Sequence, residues 1–116
     1  MADGKARLAD RAPILEVLGP LTVKETEDLV FHAARSHPQF EVSQRTWLED
    51  DRSYFVRWRD AAPSSPLQVI GLVHIFQLPE MACRLTVVPF ADEPPSALAE
   101  YRDLLADELA REGFFA

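Results

Sequence analysis

A single cysteine, Cys83, leaves no material for an intramolecular disulfide or a cysteine-rich metal site, and it implies a reducing compartment. Four glycines in 116 residues, none in a Gly-x-Gly-x-x-Gly or Walker arrangement, exclude the usual phosphate cradles. The nucleophile motif Gly-x-Ser-x-Gly is missing too. No apolar run approaches the roughly 20 residues that a membrane span requires. The N-terminal stretch, Met1 to Asp10, lacks the apolar core of a signal peptide. These absences predict a cytoplasmic, non-membrane domain that uses no cofactor and carries no recognisable catalytic motif.

The composition is that of one ordinary globular domain, with 47% hydrophobic and 27% charged residues in a chain long enough to bury a core unaided. A formal net charge of -7 weighs against nucleic acid as a partner, because phosphates repel an acidic surface. The charge is unevenly spread. Acidic residues dominate from Asp92 onward, whereas the Phe40–Phe90 region has Arg45, Arg52, Arg57, Arg59 and Arg84 and no lysine. That asymmetry is either a solvated acidic helix face or one half of an electrostatic match.

Residues 1–11 are small and charged without sustained period, and read as a flexible tail preceding a domain over 12–116. Ile14–Leu18 reads as a short strand closed by Gly19-Pro20. Thr22-x-x-Glu25 is a capping box, and the helix it opens should end near Ser36 because Pro38 pushes His37 out of helical geometry. Phe40–Leu48 and Ser53–Asp60 alternate as strands about a turn in Glu49–Arg52. The densest apolar run, Leu67–Leu78, is apolar on both alternating faces and predicts a central strand covered on both sides. Within it, Gly71 marks a close approach by a neighbour. A turn then leads to Cys83–Phe90. After a proline-rich break, Leu98, Tyr101, Leu104, Leu105 and Leu109 recur at helical spacing, with Ser96 as expected N-cap and Gly113 as C′ residue.

The predicted fold is α+β, in the order β-α-β-β-β-β-α, with a mostly antiparallel sheet of four to five strands and the C-terminal helix packed on one face. This order resembles that of the helix-grip, START-like ligand-binding domains, although four strands follow the first helix instead of six and about one helix precedes them instead of two. The resemblance implies a ligand pocket beneath the C-terminal helix.

Most chemistry-bearing residues have plain structural readings. His32 and His37 are five apart rather than at the i, i+4 spacing of paired ligands, and His74 lies within a strand. Cys83 has no partner at a recognised spacing and reads as a small hydrophobe. Glu49, Asp50 and Asp51 read as solvated turn residues. One constellation has the composition of a binding hot spot: Arg45, Trp47, Phe55, Arg57, Arg59 and Arg84. A three-residue hairpin loop (Asp50–Arg52) would pair Trp47 with Phe55 and Arg45 with Arg57, and turn Tyr54, Val56 and Trp58 toward the core; a two-residue loop would pair Trp47 with Tyr54 and end that segregation. The longer apolar alternation favours the first. The expected function is therefore a non-enzymatic interaction or adaptor module that meets a protein partner or a second copy through this face or a strand edge. The alternative is a small apolar-ligand pocket between sheet and C-terminal helix, formed by Tyr54, Leu72, His74, Phe76, Tyr101 and Leu105.

Overall fold

Seven elements form in the anticipated order: β1 (Leu15–Gly19), α1 (Val23–Arg35), β2 (Phe40–Trp47), β3 (Asp51–Trp58), β4 (Gln68–Gln77), β5 (Cys83–Pro89) and α2 (Ser96–Arg111). The structure, a computed structural model, describes residues 12–60, 62, 64–79 and 82–116; the expected N-terminal tail lies outside them. The strands make one antiparallel sheet in the spatial order β1-β5-β4-β3-β2, so β4 is the middle strand, as its apolar density predicts. Strands β2 to β5 follow one another as a meander, while β1 joins the far side of β5. Helix α1 carries the chain from one sheet edge to the other.

The helix ends follow local chemistry. The Thr22 hydroxyl accepts from the Glu25 backbone N–H at 3.1 Å, and the Glu25 carboxylate accepts from the Thr22 N–H at 3.0 Å. The bond from the Thr22 N–H first, and a second from the Thr22 hydroxyl at 3.0 Å, hold the Glu25 carboxyl below its ordinary pKa. At the other end of the domain, Gly113 (φ 95°) lets α2 close in a Schellman motif: Phe114 N–H donates to Leu109 C=O and Gly113 N–H to Ala110 C=O. Phe114 is then buried against β1, and Phe115 exchanges backbone hydrogen bonds with Leu18, covering that edge of the sheet. The N-cap of α2 is Pro95, not Ser96, which is already helical; no side chain caps this end.

Both helices pack on one face of the sheet. Alternation places Tyr54 and Val56 of β3, Val73 and Ile75 of β4, Leu85 and Val87 of β5 beneath Val30 and Ala33 of α1 and Leu98, Tyr101, Leu105 and Leu109 of α2, all essentially inaccessible to solvent. The small residues of α1 allow the close packing their size suggests. The expectation of cover on both faces of β4 is not met. Leu72, His74 and Phe76 point away from the helices, and two helices provide only one covering layer.

Gly71 sits where α2 crosses β4. A Cβ there would lie 2.6 Å from Leu98 Cδ1 and 3.1 Å from the Val88 carbonyl oxygen, closer than packed atoms tolerate. Gly71→Val is expected to lower stability by about 1–3 kcal/mol through overpacking. Urea unfolding of the variant measures it, and an unchanged midpoint would mean that α2 does not press on β4.

Candidate functional site

The β2–β3 register decides which side chains share the uncovered face. Phe40 pairs with Trp58, Val42 with Val56 and Gln44 with Tyr54; Arg45 is then skipped, and Thr46 pairs with Ser53 and Trp47 with Arg52. This is neither of the two registers expected from loop length. The chain turns at Glu49-Asp50, with Leu48 N–H bonded to Asp51 C=O, and a bulge at Arg45 shifts the alternation by one. A one-residue shift exchanges faces. Hence Trp47 leaves the expected patch and turns to the helix side.

There Trp47 joins a polar cluster that was not anticipated. Glu27 of α1 accepts from Tyr54 OH at 2.5 Å and Trp47 Nε1 at 3.0 Å, and pairs with Arg52 Nη1 at 3.4 Å. The Arg52 guanidinium stacks 4.1 Å over the Trp47 ring and donates through Nε to the Leu48 carbonyl. Burial first, and the carboxylate beside it second, raise the Tyr54 phenol pKa well above its ordinary value. This cluster ties the hairpin to α1. A hollow of about 750 Å³ opens beside it, but Lys24 and Arg52 share its walls with Glu49 and Asp50, so no single charge prevails.

The open face is ordered in cross-strand rows. One row is polar, running Thr46, Ser53, His74, Thr86 from β2 to β5. The next is mainly apolar, with Ser43, Phe55, Leu72 and Val88. Beyond the polar row come Asp51, Phe76 and Arg84. Phe90, 37% exposed, stands edge-on to Phe55, and Phe76 is 36% exposed. Arg45 reaches Ser53 Oγ at 3.3 Å; Arg57 donates through Nε to Ser43 Oγ and lies 5.5 Å from the Phe55 ring centre. Among the described residues, no carboxylate lies within ion-pair distance of Arg45, Arg57 or Arg84, although Glu16 and Glu41 occupy the same face. Asp51 on this face is engaged, its Oδ1 2.6 Å from His74 Nε2.

Of the six residues expected at an interaction face, Arg45, Phe55, Arg57 and Arg84 are brought onto the open face and Trp47 is not. Arg59 lies past the end of β3, where its backbone pairs with Gln39. The alternative pocket does not assemble. Tyr54, Tyr101 and Leu105 are fully buried on the helix side, Tyr101 OH donating to the Val30 carbonyl, while Leu72, His74 and Phe76 occupy the opposite face. The sheet itself divides the set. Asp51, Ser53 and Thr86 were missed as site residues. The alternation of Arg84 and Thr86 with apolar Leu85 and Val87 was the available signal for Thr86; Asp51 and Ser53 depend on the β3 pairing and had none.

Other reactive groups are structural. Cys83 is buried, its thiol 3.1 Å from Thr26 Oγ1, and burial raises its pKa, which disfavours the reactive thiolate. His32 bonds Glu108 at 2.6 Å, linking the two helices. Among the described residues, no three His, Cys, Asp or Glu side chains gather as metal ligands, and no helix is long and apolar enough to cross a membrane. No protein-family model matches the chain, and no curated protein matches its sequence.

Proposed function

We propose that this domain is a protein-interaction module of the cell's reducing interior, whose open sheet face docks an acidic, partly apolar surface of a partner protein or second copy. The observation that carries the reading is the pairing of half-exposed aromatics (Phe55, Phe76, Phe90) with three arginines, Arg45, Arg57 and Arg84, that have no carboxylate of the described residues within ion-pair reach, all on the one face the helices leave uncovered. Arginine beside aromatic side chains is the composition enriched where binding energy concentrates. The outer side of α2 is acidic, with Glu100, Asp103 and Asp107 exposed, so the two faces of the domain differ in charge. An acidic partner would be steered to the sheet and away from the helices.

The test is the double variant Arg45→Glu with Arg57→Glu. Arg45 is exposed and Arg57 half-buried, so thermal stability should change little. Binding to a partner, or self-association measured by sedimentation, should weaken by at least several-fold, and the wild-type interaction should weaken with added salt. Undiminished, salt-insensitive binding by the variant would remove the open face from the interaction.

A further inference from the structure

The polar and apolar rows of the open face enclose a hollow of about 330 Å³. Its walls are Thr46, Ser53, His74 and Thr86 on one side and Leu72 and Val88 on the other, with Arg45 at the β2 end. We propose that this hollow is a carboxylate-binding subsite for a small acid with an apolar body, the carboxylate held by Arg45 and the body laid over Leu72 and Val88. Such an acid would occupy part of the same face that is proposed to dock a protein.

Three features select this ligand class. The first is charge. Asp51 also lines the hollow, but its carboxylate is engaged by His74, whereas among the described residues Arg45 meets only the neutral hydroxyls of Thr46 (3.5 Å) and Ser53 (3.3 Å). A guanidinium bonded only to hydroxyls gains a stronger, charge-assisted partner when a carboxylate arrives. The second is the bulge. Regular pairing would set Arg45 alone opposite Ser53; the bulge gives that place to Thr46 and keeps Arg45 beside it, so a guanidinium and two hydroxyls meet at the β2 end of the polar row. The third is shape. From β2 to β5 the hollow crosses three interstrand steps, about 14 Å at the usual spacing, with hydrogen-bonding groups along one wall and aliphatic groups along the other. Ser53 is only 5% exposed, so its hydroxyl is a built-in part of the floor. A concave surface that sets polar groups against an aliphatic wall can fix the orientation of a small ligand.

The experiment is a titration of the ¹⁵N-labelled protein with 3-phenylpropionate and, separately, with its uncharged amide. Saturable shifts are expected at Thr46, Ser53, His74 and Thr86, with the acid bound at least about tenfold more tightly than the amide. Arg45→Gln should bring the acid down to the affinity of the amide while leaving the melting temperature unchanged. A blocked Leu-Glu-Leu peptide separates the two sources of such a carboxylate. Tighter binding of the peptide at the same residues assigns the subsite to a partner's acidic side chain, and tighter binding of the free acid assigns it to a small metabolite; either supports carboxylate recognition. No saturable shift, equal affinity for acid and amide, or an acid preference that survives Arg45→Gln would each overturn it. If partner binding is lost in the double arginine variant yet no carboxylate is recognised, docking stands and the subsite falls.

Discussion

Glu27→Ala should lower stability by about 3–5 kcal/mol, the usual effect of stripping one partner from a buried charge pair. The side chains of Glu27 and Arg52 are only 14% and 8% exposed, so solvent cannot compensate the guanidinium that remains. Arg52 Nη1 has no hydrogen-bond partner besides this ion pair, and Tyr54 OH and Trp47 Nε1 would lose their acceptor as well. Denaturant unfolding measures the loss. A second variant tests the cause: Glu27→Ala combined with Arg52→Met should recover much of the stability, because the buried charge is removed along with its partner. If the double variant is no better than the single one, the loss comes from packing at α1 and not from the orphaned charge.

Leu105→Ala should lower stability by about 2–5 kcal/mol, the range for emptying a fully buried leucine site. Leu105 is inaccessible to solvent in the layer where α2 meets the sheet beside Tyr101 and Leu109. For a domain of this size the melting temperature should fall by roughly 10 °C. A change within a degree or two would mean that α2 contributes little to the core and rests elsewhere.

Legibility in the sequence followed the range of each interaction. The α1 cap, the Gly113 terminus and the helical spacing of α2 are set by residues a few positions apart, and all could be read directly. The central place of β4 was visible in its apolar density, and the tightness at Gly71 in the lone glycine within that run. The bulge at Arg45 was not visible. It depends on how β2 pairs with β3 and on the reach of Trp47 to Glu27, 20 residues away in the chain. One skipped residue sufficed to move Trp47 from the expected patch to the helix layer. The two apolar faces of β4 were equally ambiguous. Alternation shows that both faces are apolar but not whether each is covered within the domain. Phe76, 36% exposed, looks like core in sequence because alternation records which residues are apolar and not whether a layer covers them. The same ambiguity grouped Tyr54, Tyr101 and Leu105 with residues on the opposite side of the sheet.

The proposed binding surface is the uncovered side of the sheet. Cross-saturation NMR on the complex with its partner, or on the self-associated form, tests it most directly. Saturation should concentrate on the open face, at Phe55, Leu72, Phe76, Thr86 and Val88, and spare the outer side of α2 at Asp103 and Asp107. Saturation centred on α2, with the open face untouched, would place binding on the helix side and remove the sheet face from it.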